Sequence, residues 1–290
     1  MGAGYYSRIC GTCDMNFENC LGLGVAGNFA GHLEQAGEAA DFAGVKTLDD
    51  KAPKALFPFY LPRSENFLGC YPLSSDKILF PQTGDNLQIE PEVGVVFAIS
   101  YLGDKVAGLS PLYFGAYNDC SIRRPGARKI SEKKNWGPCS KGISQDLIPL
   151  ESFTSGGILD RVRIASFLIR DGECFPYGVD SAARDYSYMY ERLTDWMINR
   201  LNFQKDEGPA EDLNSYLVKC GRPDKCLVSI GATRYTPFGE KNYLQPGDES
   251  VVVLYMEDEH TREEVIKLVS EGKFSEIGGS VLRQKVVAQI

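Results

Sequence analysis

Leu87-Gln88-Ile89-Glu90-Pro91-Glu92-Val93-Gly94-Val95-Val96-Phe97-Ala98-Ile99 places two glutamates at the start of an apolar run. Such a run predicts a buried strand. Residues i and i+2 of a strand point to the same face, so Glu90 and Glu92 are expected side by side. Two carboxylates held that close repel each other, and removing them from water is costly. A hard divalent cation with oxygen ligands is the common remedy, so the stretch predicts a metal site.

A second interpretation of the same residues is structural. A proline and charged side chains at the start of a strand also discourage unwanted pairing at a solvated sheet edge. From Glu90-Pro91-Glu92 alone both interpretations stay open. Asn118-Asp119, further along the chain, adds a third carboxylate after another β-like segment. That addition favours the metal site.

Composition excludes several classes of protein. The chain has 290 residues, of which 43% are hydrophobic and 24% charged, which is ordinary for a soluble globular protein. Its formal charge is −8, and no basic block interleaves with aromatic residues, so nucleic acid is not an expected partner. No apolar stretch reaches membrane-spanning length, and the first residues lack the pattern of a signal peptide. A cytoplasmic protein is expected.

The nine cysteines are an odd number, which argues against a complete disulfide framework. Most are expected to be reduced and buried. Two local groups exist, Cys10-Gly-Thr-Cys13 with Cys20, and Cys220 with Cys226. Neither has a second Cys-x-x-Cys or a nearby histidine that would complete four zinc ligands, so a structural zinc site is not expected.

The pattern along the chain predicts a mainly β protein with a few helices, of the α+β class. Residues 1–21 form an N-terminal extension of uncertain order, and residues 22–290 form one domain. Asp171-Gly172 after an apolar run predicts a hairpin. Apolar residues at three- and four-residue spacing predict a helix from Asp185 to Leu201. A shorter helix is expected over Glu263–Leu268.

One phosphate-binding motif is excluded by its context. Gly22-Leu-Gly24-Val-Ala-Gly27 fits Gly-x-Gly-x-x-Gly. A dinucleotide-binding fold needs a strand before this motif, a helix after it and parallel βαβ units beyond. The rest of the chain is typical of antiparallel β structure, so the motif is not expected to bind a nucleotide.

The chain has two histidines, and they differ in surroundings. His260 lies in a charged segment and is expected at the surface. His32 follows Gly27-Asn28-Phe29-Ala30-Gly31 and lies close to Glu34 in sequence. A histidine paired with an acid can take a proton from water near neutral pH. The alternative is a histidine on a helix surface with a chance acidic neighbour.

Taken in order, these segments resemble the fumarylacetoacetate hydrolase superfamily. The resemblance spans about residues 22 to 256 and implies a mixed β-sandwich roll that forms a homodimer. The matching segments are Gly27-Asn-Phe-x-x-His32, Glu90-Pro-Glu92, Asn118-Asp119-Cys-Ser-Ile-Arg123, Lys134-Asn-Trp136, and Leu244-Gln-Pro-Gly-Asp248.

The resemblance also implies roles for individual residues. Glu90, Glu92 and Asp119 would hold Mg²⁺ or Mn²⁺, with Ca²⁺ possible in vitro. Arg123, Lys134 and Thr233 would bind a small anionic keto acid. The catalytic set would be His32 with Glu34 or Gln35, together with Lys134. A lid segment near residues 27–45, which carries His32, would close over the substrate.

The chain departs from the family pattern at the catalytic acid. The family has an acid three residues after the histidine, where this chain has Gln35, and Glu34 lies only two residues on. In a helix, residues i and i+2 diverge, so Glu34 is not expected to face His32 directly. Thr233 is also displaced from the family's threonine.

Several functions therefore stay open at this point. The leading prediction is a metal-dependent enzyme that hydrolyses a C–C bond in a 2,4-diketo acid resembling an acylpyruvate. Decarboxylation, hydration or isomerisation of a related keto acid would use the same site. A non-catalytic protein that binds metal and keto acid is the third possibility, because Gln35 replaces the family's acid. A structural role for the carboxylates is the last.

Overall fold

The structure is a computed structural model that describes residues 15–289 apart from 43, 46, 48 and 125. The predicted grouping of Cys10 and Cys13 lies outside these residues. Cys20 is a free buried thiol. Phe17 and Cys20 lie in the hydrophobic core, so the part of the predicted N-terminal extension that is described packs against the domain. Among the described residues, no helix is both long and apolar enough to cross a membrane.

Strands dominate the architecture. They are β1 Leu21–Ala26, β2 Ala55–Tyr60, β3 Leu73–Ser74, β4 Lys77–Phe80, β5 Leu87–Gln88, β6 Pro91–Leu102, β7 Lys105–Asn118, β8 Ser121–Ile122, β9 Lys141–Ile143, β10 Ile148–Pro149, β11 Val162–Arg170, β12 Glu173–Pro176, β13 Ser181–Ala182, β14 Lys225–Ser229, β15 Glu249–Met256 and β16 Gly279–Ala288. The α-helices are α1 His32–Gln35, α2 Tyr190–Phe203, α3 Leu213–Lys219 and α4 Arg262–Ser270. The prediction of a mainly β protein with a few helices is confirmed.

Two mixed sheets pack face to face. The first has the strand order β2-β1-β14-β6-β7-β9-β3, with β10 also paired to β7. The second has the order β12-β11-β15-β16-β4, with β13 paired to β11. Strands β6 and β7 of the first sheet contact β11 and β15 of the second, and one large apolar cluster fills the space between them. A short ribbon of β5 and β8 completes the β structure.

The sheets are not purely antiparallel as the sequence pattern suggested. The pairs β1–β14, β3–β9 and β16–β4 are parallel. The partners of each parallel pair lie far apart in sequence, so strand pattern alone does not reveal their direction. The long hairpin β6–β7 is antiparallel and forms the centre of the first sheet.

Strands that are apolar on both faces are buried on both faces. In β15, Val252 and Leu254 face the core between the sheets, whereas Val251, Val253 and Tyr255 pack beneath α4. The continuous apolar run of this strand follows from that double burial. Helix α4 begins with a capping box in which Thr261 and Glu264 bond each other's backbone N–H groups.

The Gly-x-Gly-x-x-Gly segment is part of a strand. Gly22 and Gly24 lie in β1, and a Cβ atom on them would come within 2.4 Å of the Phe59 ring and 2.2 Å of the Phe57 ring. The two glycines therefore let the aromatic side chains of β2 lie against the backbone of β1. The motif is explained by packing, which agrees with its exclusion as a nucleotide-binding loop.

The hairpin and helix predictions fare differently. Asp171 and Gly172 both have positive φ and join β11 to β12, as predicted. Helix α2 begins at Tyr190 rather than Asp185, because Asp185 ends a 3-10 turn that begins at Ala183, the chain bends over residues 186–188, and Met189 is extended. There the backbone N–H of Ser187 donates to the Asn28 carbonyl, and that of Tyr188 to the Asn28 side chain.

Glu211, a buried carboxyl away from the β6–β7 hairpin, contributes to the pH dependence of stability. Burial raises the pKa of Glu211 from 4.5 to about 7, although Ser131 donates a hydrogen bond of 3.0 Å to it. Between these pH values the folded protein binds a proton that the unfolded chain releases. The stabilisation is full below pH 4.5 and is lost as the pH rises through 7.

Glu211→Gln is expected to remove the contribution of this residue to the pH dependence, because the amide keeps a hydrogen-bond acceptor without a charge. The variant should be more stable than wild type at pH 8 by up to about 3 kcal/mol and should differ little at pH 4.5. Urea unfolding at the two pH values measures the difference. Equal stability of the two proteins at pH 8 would show that Glu211 ionises without penalty.

Candidate active site

Three carboxylates meet where the central hairpin ends. Pro91 is paired with Asn118 in the ladder, so Glu90 just before β6 and Asp119 just after β7 are neighbours. The Asp119 backbone N–H donates to the Glu90 carbonyl at 2.9 Å. Ligand oxygens of Glu90, Glu92 and Asp119 all lie within 4.8 Å of one another, and all three residues are buried. The solvated-edge interpretation of Glu90-Pro91-Glu92 does not fit this burial.

Lys134 lies among these carboxylates. Its Nζ is 2.6 Å from Glu90 Oε2 and 2.6 Å from Asp119 Oδ2, and it donates to Ser121 Oγ at 2.7 Å. The ammonium also lies 5.3 Å from the centre of the Phe57 ring. Burial alone would lower the pKa of Lys134, but Asp119 and Glu90 outweigh it and raise the pKa, so the side chain is a fixed cation.

Lys141 is a second buried cation that the sequence analysis did not identify. Its side chain is fully buried, with Nζ 3.3 Å from Asp119 Oδ1 and donating to the Cys120 carbonyl. Burial lowers the pKa of Lys141, although Asp119 opposes the shift. It comes from β9, a strand of only three residues, in which no alternation can be recognised.

Arg123 is held by four partners. It donates to Glu90 Oε1 at 2.7 Å, to Glu38 Oε1 at 2.8 Å, to Gln88 Oε1 at 2.6 Å and to the Tyr235 hydroxyl at 2.7 Å. Glu38 was not predicted as a site residue. It follows α1 in the predicted lid segment, where no regular element gives a periodic signal.

The carboxylates differ in their electrostatics. Burial alone would raise the pKa of Glu90, but Lys134 and Arg123 hold it well below its ordinary value. Burial and the neighbouring Asp119 raise the pKa of Glu92 well above its ordinary value. Glu92 accepts one hydrogen bond of 2.6 Å, from the Gly231 backbone N–H. A cation bound beside Glu92 would therefore offset the repulsion between its carboxylate and that of Asp119.

The donor set fits a hard divalent ion. Three carboxylates are oxygen ligands of the kind that Mg²⁺, Mn²⁺ and Ca²⁺ prefer. Both oxygens of Asp119 are buried and lie near lysine ammonium groups, yet neither accepts a hydrogen bond of good geometry from the described residues. They therefore keep lone pairs for another ligand. A bound ion would have Lys134 as its nearest competitor.

His32 is positioned as a neutral base. Its Nδ1 lies 2.9 Å from the Thr233 carbonyl oxygen, which can only accept, so Nδ1 carries the proton. Nε2 is then the unprotonated nitrogen, and it lies 3.9 Å from Glu90 Oε1. Burial lowers the pKa of His32, although Glu90 opposes the shift. The imidazole is thus neutral near pH 7, with its free lone pair towards the carboxylates.

The structure places the other predicted catalytic residues elsewhere. Glu34 is exposed on α1. The Gln35 side chain donates to the Tyr235 carbonyl at 3.3 Å and accepts from the Tyr235 N–H at 2.9 Å. Gln35 therefore ties α1 to the loop after β14, and the Thr233 carbonyl orients the imidazole. The Thr233 hydroxyl is buried with no hydrogen-bond partner among the described residues.

Asn28 anchors the lid segment to the rest of the site. Its fully buried amide donates to the Tyr188 carbonyl at 2.9 Å and to the Ile230 carbonyl at 2.8 Å. Its Oδ1 accepts from the Tyr188 N–H at 2.8 Å. These bonds hold together three segments that are far apart in sequence, namely the lid segment, the chain before α2 and the residue after β14.

Asn28→Ala is expected to destabilise the protein by about 4 kcal/mol, because it leaves three buried backbone groups without partners. Urea unfolding measures the loss. Asn66→Ala is the matched control, since Asn66 is exposed and accepts only local bonds, from the Leu68 N–H and the Ser64 hydroxyl, and their loss should cost about 1 kcal/mol. Similar losses in both variants would refute the anchoring role.

The space enclosed at the site is small. Its walls include His32, Glu38, Glu90, Glu92 and Lys134. The volume that the centre of a water molecule can reach is ≈ 20 Å³, room for about one water molecule or ion. A keto acid does not fit without movement of the wall. Glu38 and His32 belong to the lid segment. His32 begins the short helix α1, and Glu38 closely follows that helix.

Comparison with known proteins identifies the fold. A family model described as "Family of unknown function (DUF5718)" matches residues 38–286. The structure is similar to that of Cg1458 with inhibitor, at a TM-score of 0.56 and 15% identity, over 93% of this chain and 77% of the other. No curated protein matches the chain by sequence.

Two further solved structures carry informative names. A 2-keto-3-deoxy-D-arabinonate dehydratase in its apo form is similar at a TM-score of 0.52 and 13% identity, over 100% of this chain and 83% of the other. A protein from Yersinia pestis CO92, described as of the fumarylacetoacetate hydrolase family, is similar at a TM-score of 0.52 and 14% identity, over 92% of this chain and 93% of the other. The predicted fumarylacetoacetate hydrolase type of fold is confirmed, and at such identities the similarity shows the fold alone.

Proposed function

The chain belongs to a family of unknown function, DUF5718, and we propose that it is a metal-dependent enzyme acting on a small anionic keto acid. The leading reaction is hydrolysis of a C–C bond in a 2,4-diketo acid. The observation that carries this proposal is one buried cluster that joins Glu90, Glu92 and Asp119 to a neutral histidine. The fumarylacetoacetate hydrolase fold supports the same class of chemistry by analogy.

Glu90, Glu92 and Asp119 would hold the divalent ion, which in such sites polarises the oxygens of a bound keto acid. Lys134 would keep its charge beside these oxygens and stabilise the enolate that leaves. Arg123 and the Thr233 hydroxyl would contact the anionic substrate. Glu34 and Gln35 have no chemical role in this proposal.

His32 would act as the general base. Nε2 takes a proton from a water molecule whose oxygen attacks the 4-oxo carbon, while the Thr233 carbonyl keeps the imidazole in the correct tautomer. The bond between C3 and C4 then breaks, and its electron pair forms the enolate of the 2-oxo acid. The imidazolium, near the Glu90 carboxylate, returns the proton to C3. The products are a carboxylic acid and a 2-oxo acid.

Other reactions of the same site are the second candidate. One similar structure is a dehydratase, and another, at a TM-score of 0.52 and 12% identity, is a 5-carboxymethyl-2-hydroxymuconate delta-isomerase from Mycobacterium smegmatis. Decarboxylation, hydration and isomerisation all need the same stabilised enolate. A protein that only binds metal and keto acid is the third candidate, although the Thr233 carbonyl supplies the orientation that Gln35 does not.

The experiment is an incubation of the protein with Mn²⁺ and a panel of 2,4-diketo acids, with products followed by NMR. Formation of a carboxylic acid and a 2-oxo acid would support hydrolysis. Release of CO₂, addition or loss of water without C–C cleavage, or isomerisation would assign the second candidate. Binding of the panel without turnover would favour the binding protein.

A homodimer and a cytoplasmic location are also part of the proposal. The dimer rests on the resemblance to the fumarylacetoacetate hydrolase superfamily. Light scattering of the purified protein tests it, with twice the chain mass of 32.0 kDa expected.

A further inference from the structure

The contacts of Glu38 identify a carboxylate-binding site that this chain fills with its own side chain. Glu38 Oε1 lies 2.8 Å from Arg123 Nη1 and 3.5 Å from Lys133 Nζ. All three side chains are at most 12% exposed. Two mostly buried cations therefore converge on one carboxylate, the arrangement that binds a carboxylate of a ligand equally well.

Glu38 lies on the part of the wall best able to move. Gly31 and Gly37 both have left-handed backbone conformations and bracket the single turn of α1. The turn itself is short and partly exposed. The enclosed space holds about one water molecule, so a keto acid can enter only if part of the wall withdraws. Withdrawal of Glu38 would both enlarge the space and remove the carboxylate that lies against both Arg123 and Lys133.

Replacement of Glu38 by a ligand carboxylate would keep the pairing of two cations. Arg123 is also paired with Glu90, at 2.7 Å, and Lys133 with Asp41, at 2.6 Å. Glu38 is the carboxylate that lies against both cations. A ligand carboxylate in its place would restore the contacts that withdrawal of Glu38 removes.

We propose that Arg123 and Lys133 bind a carboxylate of the substrate and that Glu38 occupies this position until the substrate displaces it. This assignment rests on the proposed function. The substrate class that it specifies is a keto acid with a second carboxylate besides the one next to the 2-oxo group. The metal-binding residues would take the 2-oxo end, and Arg123 with Lys133 would take the far end.

The test uses Glu38→Gln, which keeps the size of the side chain and removes its charge, and glutarate, a dicarboxylate without a 2-oxo group. The full-length protein is titrated with glutarate in EDTA, and the melting temperature is followed. Glu38→Gln should respond to glutarate at a concentration about tenfold or more below that required by wild type. Glu65→Gln, an exposed residue with the same change of charge, should behave like wild type.

A second variant and a second readout keep the test decisive. Adding Lys133→Met to Glu38→Gln should remove most of the glutarate response. Hydrogen exchange of the amides of residues 31–42 should be faster in Glu38→Gln than in Glu65→Gln without any ligand. Equal glutarate responses in Glu38→Gln and Glu65→Gln would overturn the proposal. Failure of the proposed function would show differently, as no effect of Mn²⁺ with oxalate on wild type.

Discussion

Glu92→Gln is expected to abolish the rise in melting temperature that Mn²⁺ with oxalate, a mimic of the diketo acid, gives to wild type. A ligand that binds only the folded protein raises its stability, and loss of the site removes that gain. The amide can still accept the hydrogen bond from the Gly231 N–H, but it has no charge to offer a cation. We expect the affinity for Mn²⁺ to fall at least about a hundredfold.

The same substitution has a built-in check on folding. Burial and Asp119 raise the pKa of Glu92, so a neutral side chain is well tolerated at this position. Without ligand, Glu92→Gln should melt no lower than wild type. The exposed Glu65→Gln serves as the control for a change of charge alone and should keep the full response to Mn²⁺ and oxalate. A full response in Glu92→Gln would remove Glu92 from the metal site.

His32→Asn is expected to lower kcat by about 10² to 10⁴ on any substrate that the wild type turns over. The asparagine amide can donate to the Thr233 carbonyl as Nδ1 does, so the loop keeps its contact while the base is lost. Because His32 is not among the three proposed ligands, the response to Mn²⁺ and oxalate should remain. Steady-state kinetics and melting curves on the same preparation separate the two effects.

Two results would contradict this role for His32. Unchanged kcat in His32→Asn would remove it from the mechanism. Loss of the Mn²⁺ response together with kcat would mean that the imidazole supports the metal site rather than the chemistry. Tyr235→Phe is a useful companion variant. The centre of the Tyr235 ring lies 5.4 Å from the centre of the His32 ring, and the Tyr235 hydroxyl accepts a hydrogen bond from Arg123.

The carboxylate cluster was accessible from the sequence because it follows from strand geometry. Glu90 and Glu92 are two residues apart at a strand start, and Asp119 comes directly after the paired strand. Their meeting needs only the hairpin β6–β7. Lys141 and Glu38 were missed for a different reason. One lies on a three-residue strand and the other after a single helical turn, so neither has a periodic pattern to reveal its direction.

Tertiary contacts also changed two local predictions. Residues 185–189 fit a helical pattern, yet Asn28 bonds the backbone of Ser187 and Tyr188 in a bend, and helix α2 starts later. The spacing of Glu34 and Gln35 from His32 suggested an acid or amide partner for the imidazole. The partner is instead the carbonyl of Thr233, about 200 residues away, and a backbone group gives no signal in a sequence.

The most direct test of the central claim is electron paramagnetic resonance of Mn²⁺ titrated with the protein in the presence of oxalate. The spectrum of free aqueous Mn²⁺ should decrease until one ion is bound per chain, and ¹³C-labelled oxalate should show coupling to that ion. This outcome would show that the chain binds one metal ion together with the keto acid mimic, as the cluster of Glu90, Glu92 and Asp119 predicts. A free Mn²⁺ signal at full intensity throughout the titration would mean that Lys134 neutralises the carboxylates permanently and that the cluster is structural.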